Sequence, residues 1–292
     1  MNTLDYLVIL AYFLGLIAVS VVMSRKIKSS EDMFIAGRNS SWWLSGISSY
    51  MTIFSASTFV VWGGVAYKSG LVAVVVALCL GVASLIVGKW ISGKWRSLRI
   101  KSPGEFLNIR FGHSSVSFYT IAGIVARAVH TAVALYAVAV VMCALIKVPD
   151  GSIFASIGLP GDTAAGYLSI WWALLILGTI ALVYTVVGGF LAVLMTDVIQ
   201  FGVLISVVVF MIPLSFHAVG GVGAFIDGAS QIPGFFSGTS ETYTWMWLLL
   251  WVFLNVAMIG GDWPFVQRYI SVPTRKDAKK STYLIGILYF LT

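Results

Sequence analysis

Charge is what this sequence has least of. Only 10% of its 292 residues are Asp, Glu, Lys or Arg, and it has three histidines, whereas soluble domains carry about a quarter charged residues. At 59% hydrophobic residues and a mean hydropathy of +0.97, the chain has too little polar surface to cover itself in water. That excludes a water-soluble globular domain, so the bilayer is the solvent. Cysteine is also scarce: Cys79 and Cys143 sit far apart inside apolar runs, with no CxxC or His/Cys cluster. Both are expected to be buried thiols rather than disulfide partners or metal ligands. A phosphate-binding GxxxxGK[ST] loop is missing, so ATP-driven pumping has no support. HExxH, GxSxG and paired His/Asp metal patterns are missing too, which argues against an enzyme. Neither a TVGYG-type filter nor a pore-lining ring of charge is found, against a channel.

What is present is a series of apolar runs. A spanning helix needs about 20 mostly apolar residues, and on that criterion spans are predicted at 3–23, 42–67, 70–92, 116–146, 168–187, 190–215 and 242–262, with another opening near 282. The first run lacks a basic n-region and a small-residue cleavage site, so it reads as a helix rather than a signal peptide. The pI of 9.4 does not point to nucleic acid, because the basic residues lie in short loops without a contiguous basic face. Fifteen of the eighteen basic residues lie after the first span, at the end of the third or in the loop after it, and after the seventh. Cytoplasmic loops collect Lys and Arg, so the N-terminus is expected outside, in a multi-pass protein of the cell membrane. Trp42, Trp43, Trp90, Trp171, Trp172, Trp245 and Trp247 fall near span ends, as an aromatic belt does.

Three places depart from inert lipid-facing helices. The second span carries Ser48, Ser49, Thr52, Ser55, Ser57 and Thr58, followed by Gly63 and Gly64. Clustered hydroxyls serve helix packing, or they accompany an interrupted helix whose freed carbonyls bind a cation. Both readings stay open. In the seventh span Asn255 lies at mid-bilayer depth and needs partners, while Gly260, Gly261, Asp262 and Pro264 either end the helix or break it. Third, Asp197, Arg127 and His130 are ionisable residues at membrane depth, where charge is costly and marks ion or substrate paths. Arg127 and His130 are three apart on one helical face. Alternatively, Arg127 snorkels or pairs with Asp197.

Four segments together resemble one family: DMFIAGR (32–38), the stretch from Trp43 through SASTF (55–59), GGFLAVLMTDVIQF (188–201) and QRY (267–269). They resemble the solute:sodium symporters, carriers of sugars, proline, pantothenate and sialic acid. The resemblance runs the length of the chain, and the GG…TDxxQ stretch is its most specific part. It implies an all-α polytopic membrane protein, a single transmembrane domain over 1–292 with a five-plus-five inverted repeat behind one extra helix. That helix is 3–23, the first repeat is 42–215, and the second opens at 242–292 and is incomplete.

For function, the resemblance implies sodium-coupled import of a small polar solute, a sugar, sugar acid or other carboxylate, by alternating access. The coupling ion Na⁺ would meet the carbonyls of Met51 and Phe54 at the broken first core helix, and Asp197, which matches the family's TD aspartate, with Thr196 positioning it. Solute contacts would come from Ser55, Thr58, His130 and Asn255, with Arg127 one turn away. The sialic acid carriers have an arginine where this chain has His130, and the sugar carriers a glutamate where it has Ala77. Asn255 matches a sugar-contacting asparagine of some sugar carriers. Arg127 and His130 favour a carboxylate-bearing solute. Two alternatives are a transporter-like sensor module of a signalling protein and an inactive truncated fragment.

Overall fold

The structure, a computed structural model, describes residues 3–25, 27–54, 58–148, 158 and 166–292. Among these every regular element is helical, and the one β-type contact is an isolated bridge between Lys147 and Tyr167. The helices are α1 (Thr3–Ser24), α2 (Ser30–Ile35), α3 (Trp42–Ile53), α4 (Gly63–Ser69), α5 (Val72–Trp90), α6 (Ser92–Ser97), α7 (Pro103–Phe111), α8 (His113–Leu145), α9 (Ile170–Ala218), α10 (Val222–Ser230), α11 (Trp245–Gly261), α12 (Trp263–Ser271) and α13 (Arg275–Leu291). Four segments are long and apolar enough to cross a membrane unbroken: Leu4–Ser24, Val72–Ser97, His113–Leu145 and Thr185–Ala218. A fifth is the pair α11 and α12, bent by 51°. The fold is that of a multi-pass membrane protein.

Differences from the expected spans sit where glycine, proline and hydroxyl residues concentrate. The predicted span 42–67 is not one helix. The predicted spans 168–187 and 190–215 meet within α9 at Gly189, whose φ 58 and ψ −166 are not helical and kink the run between them. A side chain is strained at that φ, and its Cβ would also lie 3.1 Å from the Met33 carbonyl. The last helix opens at Arg275, earlier than the apolar run: Thr274 accepts from the Asp277 backbone N–H and donates to its carboxylate, so a cap sets the boundary rather than hydropathy. Cys79 and Cys143 are half-buried free thiols, not buried ones.

The chain divides into two compact units. The first, residues 1–33 and 104–193, holds α1, α8 and the start of α9. Its buried core is Ala139, Val148, Leu168 and Ala173, and Tyr6 donates to the Lys147 carbonyl at 3.0 Å. In the short α2 that follows α1, the Ser29 hydroxyl and the Lys28 N–H both bond the Asp32 carboxylate, holding it below the usual carboxylate range.

The second unit, residues 34–103 and 194–292, contains the largest core, built on Tyr50, Val87, Ile259, Phe265, Tyr269, Val272 and Ile285. In it α13 packs on α5 and α3, α11 on α5, and α12 on α3 and α6. Small residues permit this closeness. A Cβ at Gly46 would lie 2.8 Å from the Ser281 carbonyl oxygen, and one at Gly286 would lie 3.1 Å from that of Gly81.

Candidate functional site

Helix α3 ends at Ile53, and Phe54 turns extended with φ −76 and ψ 111. Thr58–Trp62 is a π-turn, and α-helix resumes at Gly63. The chain is therefore not an uninterrupted α-helix through the second predicted span. A helix end leaves carbonyls without intrahelical donors, and Met51 and Phe54 stand in this last turn. The hydroxyls before the break divide into two kinds. Ser49 and Thr52 back-bond to the carbonyls of Ser45 and Ser48, at 2.8 and 2.9 Å, and so serve their own helix. Ser48, fully buried, turns sideways and donates to the carboxylate of Asp197.

Asp197 is the centre of the site. It lies eight residues beyond Gly189 in the sequence, with Thr196 buried beside it. Arg268 Nη2 donates to Asp197 Oδ2 at 3.1 Å, and the two side chains are 7% and 15% exposed. Arg268 Nε donates to Ser48 Oγ at 2.7 Å, and Nη1 donates to the Pro264 carbonyl of its own helix at 2.7 Å. One guanidinium thus joins α3, α9 and α12. A planar fork with several fixed donors is suited to this, and a buried carboxylate without such a partner is strongly disfavoured.

The bend between α11 and α12 orients Arg268. Asp262 caps α12 through the Trp263 N–H at 2.9 Å, and Pro264 follows in the first turn, where its missing N–H costs nothing. Gly-Gly-Asp is thus both the terminus of one helix and the start of another. The carbonyls released by the bend are taken internally: Tyr269 Oη donates to Ile259 O at 2.9 Å, and Trp95 Nε1 to Gly260 O at 2.7 Å. Asn255 is buried and back-bonds through Nδ2 to the Trp251 carbonyl at 2.7 Å. Its mid-span amide finds a partner within its own helix.

Of the residues singled out in the sequence, Met51, Phe54, Thr58, Asp197 and Asn255 belong to the second unit. Arg127 and His130 lie on α8 of the first unit, both with exposed side chains. Ser55 lies outside the described residues. Arg268 was missed: charge counting assigns it to a basic loop, whereas it is a buried member of α12. A signal did exist. An aspartate at membrane depth requires a counter-charge, and Arg268 stands within a quoted motif.

Helices interrupted within the span and a buried ion pair that, with Ser48, links three helices define a polytopic protein built around an internal polar site. The chain belongs to the sodium:solute symporter family, which it matches over residues 33–291. It is 25% identical over 96% of its length to the sodium/sialic acid symporter NanT of Aliivibrio fischeri, covering 53% of that protein. It is 28% identical over 99% of its length to the sodium/glucose cotransporter of Vibrio parahaemolyticus, again covering 53% of the relative. The chain therefore spans about half the length of these curated relatives. The structure of a Na⁺-coupled sialic acid symporter, substrate-bound and outward-open, matches 99% of this chain and 58% of its own with TM-score 0.81 at 23% identity, which shows a shared fold.

Proposed function

We propose that this chain is part of a sodium-coupled secondary symporter that imports a small polar solute by alternating access, and that it is not an enzyme. The observation that carries the reading is the hydrogen bond from Ser48, on the helix that breaks at Phe54, to the buried carboxylate of Asp197. Carbonyl and carboxylate oxygens are hard donors suited to Na⁺. We assign the sodium-facing groups to the carbonyls of Met51 and Phe54 and to the carboxylate of Asp197. The Ile259 and Gly260 carbonyls at the second bend accept from Tyr269 and Trp95, so that bend is not the one assigned to the cation.

Ser55, Thr58, Arg127, His130 and Asn255 are assigned to the solute. Two cation-capable side chains one turn apart on α8 favour a carboxylate, whereas a neutral hexose gains little from them. The organisation behind this is a five-plus-five repeat, with 3–23 as the extra helix, 42–215 as the first repeat and 242–292 opening the second. The basic loops support an orientation with the N-terminus outside the cell membrane. Sodium shifts the population toward the outward-open state and orders the solute site, a coupling typically worth about 1–3 kcal/mol.

Uptake by proteoliposomes holding the whole protein tests this. A carboxylated sugar should accumulate under an inward sodium gradient and fail to do so under an equal potassium gradient. Asp197→Asn should weaken the sodium dependence. Sodium stimulation equal to the wild type in Asp197→Asn removes Asp197 from the site.

A further inference from the structure

Asp197 already has a cation. Arg268 contacts its Oδ2 at 3.1 Å, and Ser48 bonds the same oxygen while accepting from Arg268 Nε. Arginine does not lose its proton in proteins, so this partner cannot be titrated away. It can only move. Two cations on one buried carboxylate repel each other across a short distance in a medium that screens poorly, and removing either partner leaves an uncompensated buried charge. The guanidinium and a second cation therefore compete for the carboxylate.

We propose that Arg268 is the resident, exchangeable counter-cation of Asp197, and that a sodium ion gains the carboxylate as the guanidinium withdraws. The inference rests on the reading that Asp197 meets sodium, and it adds what regulates that meeting. Arg268 is held by a backbone carbonyl of its own helix, Pro264 O, at 2.7 Å. The guanidinium is thereby tethered to α12, and releasing Asp197 means moving the guanidinium relative to α12 or moving α12 itself. Helix α12 is a short segment behind a 51° bend, with Ser40, Ser45 and Ser271 hydroxyls clustered at its far end, all buried. Where the tether to Pro264 holds, exchange of arginine for sodium converts occupancy of a carboxylate on α9 into a displacement of α12, and the competition sets the sodium concentration at which this happens.

The test reads sodium-dependent thermal stability of the purified whole protein in detergent, with choline replacing sodium at constant ionic strength. Arg268→Gln removes the competitor while leaving a hydrogen-bonding side chain. Its half-maximal stabilising sodium concentration is expected to fall at least tenfold below the wild type. In Asp197→Asn with Arg268→Gln, which removes both charges, that gain should vanish. Arg268→Lys keeps the charge but loses the fork, and should shift the midpoint about two- to fivefold in the same direction. It therefore keeps the proposal open to refutation if Arg268→Gln does not fold. A folded Arg268→Gln or Arg268→Lys whose sodium curve overlays the wild type overturns the inference and makes Arg268 a structural staple. Asp197→Asn alone separates the two readings. If it leaves the wild-type sodium midpoint unchanged, the sodium role of Asp197 itself falls. If it weakens sodium while the Arg268 variants overlay the wild type, only the exchange falls.

Discussion

The hydroxyl of Tyr269 reaches back ten residues to the carbonyl of Ile259, closing at 2.9 Å across the bend between α11 and α12. Both residues are fully buried, so no water replaces the bond. Tyr269→Phe keeps the ring and strands the carbonyl. It is expected to cost about 1–3 kcal/mol of stability, read as a lower melting temperature in detergent. Trp95→Phe, which strands the Gly260 carbonyl 2.7 Å away, should behave alike. If both variants melt with the wild type, the bend is held by packing alone.

Ser48 is the smallest member of the Asp197 cluster, and it donates to one charged partner while accepting from the other. Ser48→Ala removes two charge-assisted bonds without touching either charge. A loss of about 1.5–3 kcal/mol is expected, whereas Ser49→Ala, which removes only a back-bond to Ser45, should cost under about 1 kcal/mol. Equal losses in the two variants would show that Ser48 acts through helix packing.

The close approach of α3, α5 and α13 makes a third expectation. Gly46→Ala brings a methyl within 2.8 Å of the Ser281 carbonyl oxygen and 2.9 Å of Leu284, and Gly286→Ala brings one within 3.1 Å of Gly81 O. Backbone cannot rotate aside as a side chain does. Each substitution should destabilise by about 1–3 kcal/mol through overpacking, despite the better helix propensity of alanine. A thermal melt that rises in either variant contradicts the packing.

Hydropathy alone locates α1, α5, α8 and α11 well, because a helix in lipid must be long and apolar whatever it does. It fails where the chain bends. Residues 42–67 read as one apolar run, yet the helix stops at Ile53, since hydroxyls and glycines leave the hydropathy sum high while loosening the backbone. The quoted motifs carry more than their composition suggests. In QRY, Gln267 bonds the Phe34 carbonyl of DMFIAGR, Arg268 bonds the aspartate of the TD motif, and Tyr269 ties the bend. Three adjacent residues reach three distant segments, and no periodicity of apolar residues encodes that. Charge counting misplaces Arg268 for the same reason: a tally of loop cations has no means of knowing which one turns inward.

The remaining prediction concerns solute charge. Arg127 and His130 share a face of α8, and a cation beside a carboxylate contributes more than a hydroxyl does because its bonds are charge-assisted. If they recognise the solute, Arg127→Ala should raise the apparent KM for a carboxylated sugar about tenfold or more and leave that for a neutral hexose within twofold. His130→Ala should do the same to a smaller degree. The measurement is initial uptake against solute concentration in proteoliposomes, both solutes in parallel. An equal rise in KM for the charged and the neutral solute would mean that the substitutions disturb the helix rather than a contact. An unchanged curve for both would return Arg127 and His130 to a structural role on the surface of α8.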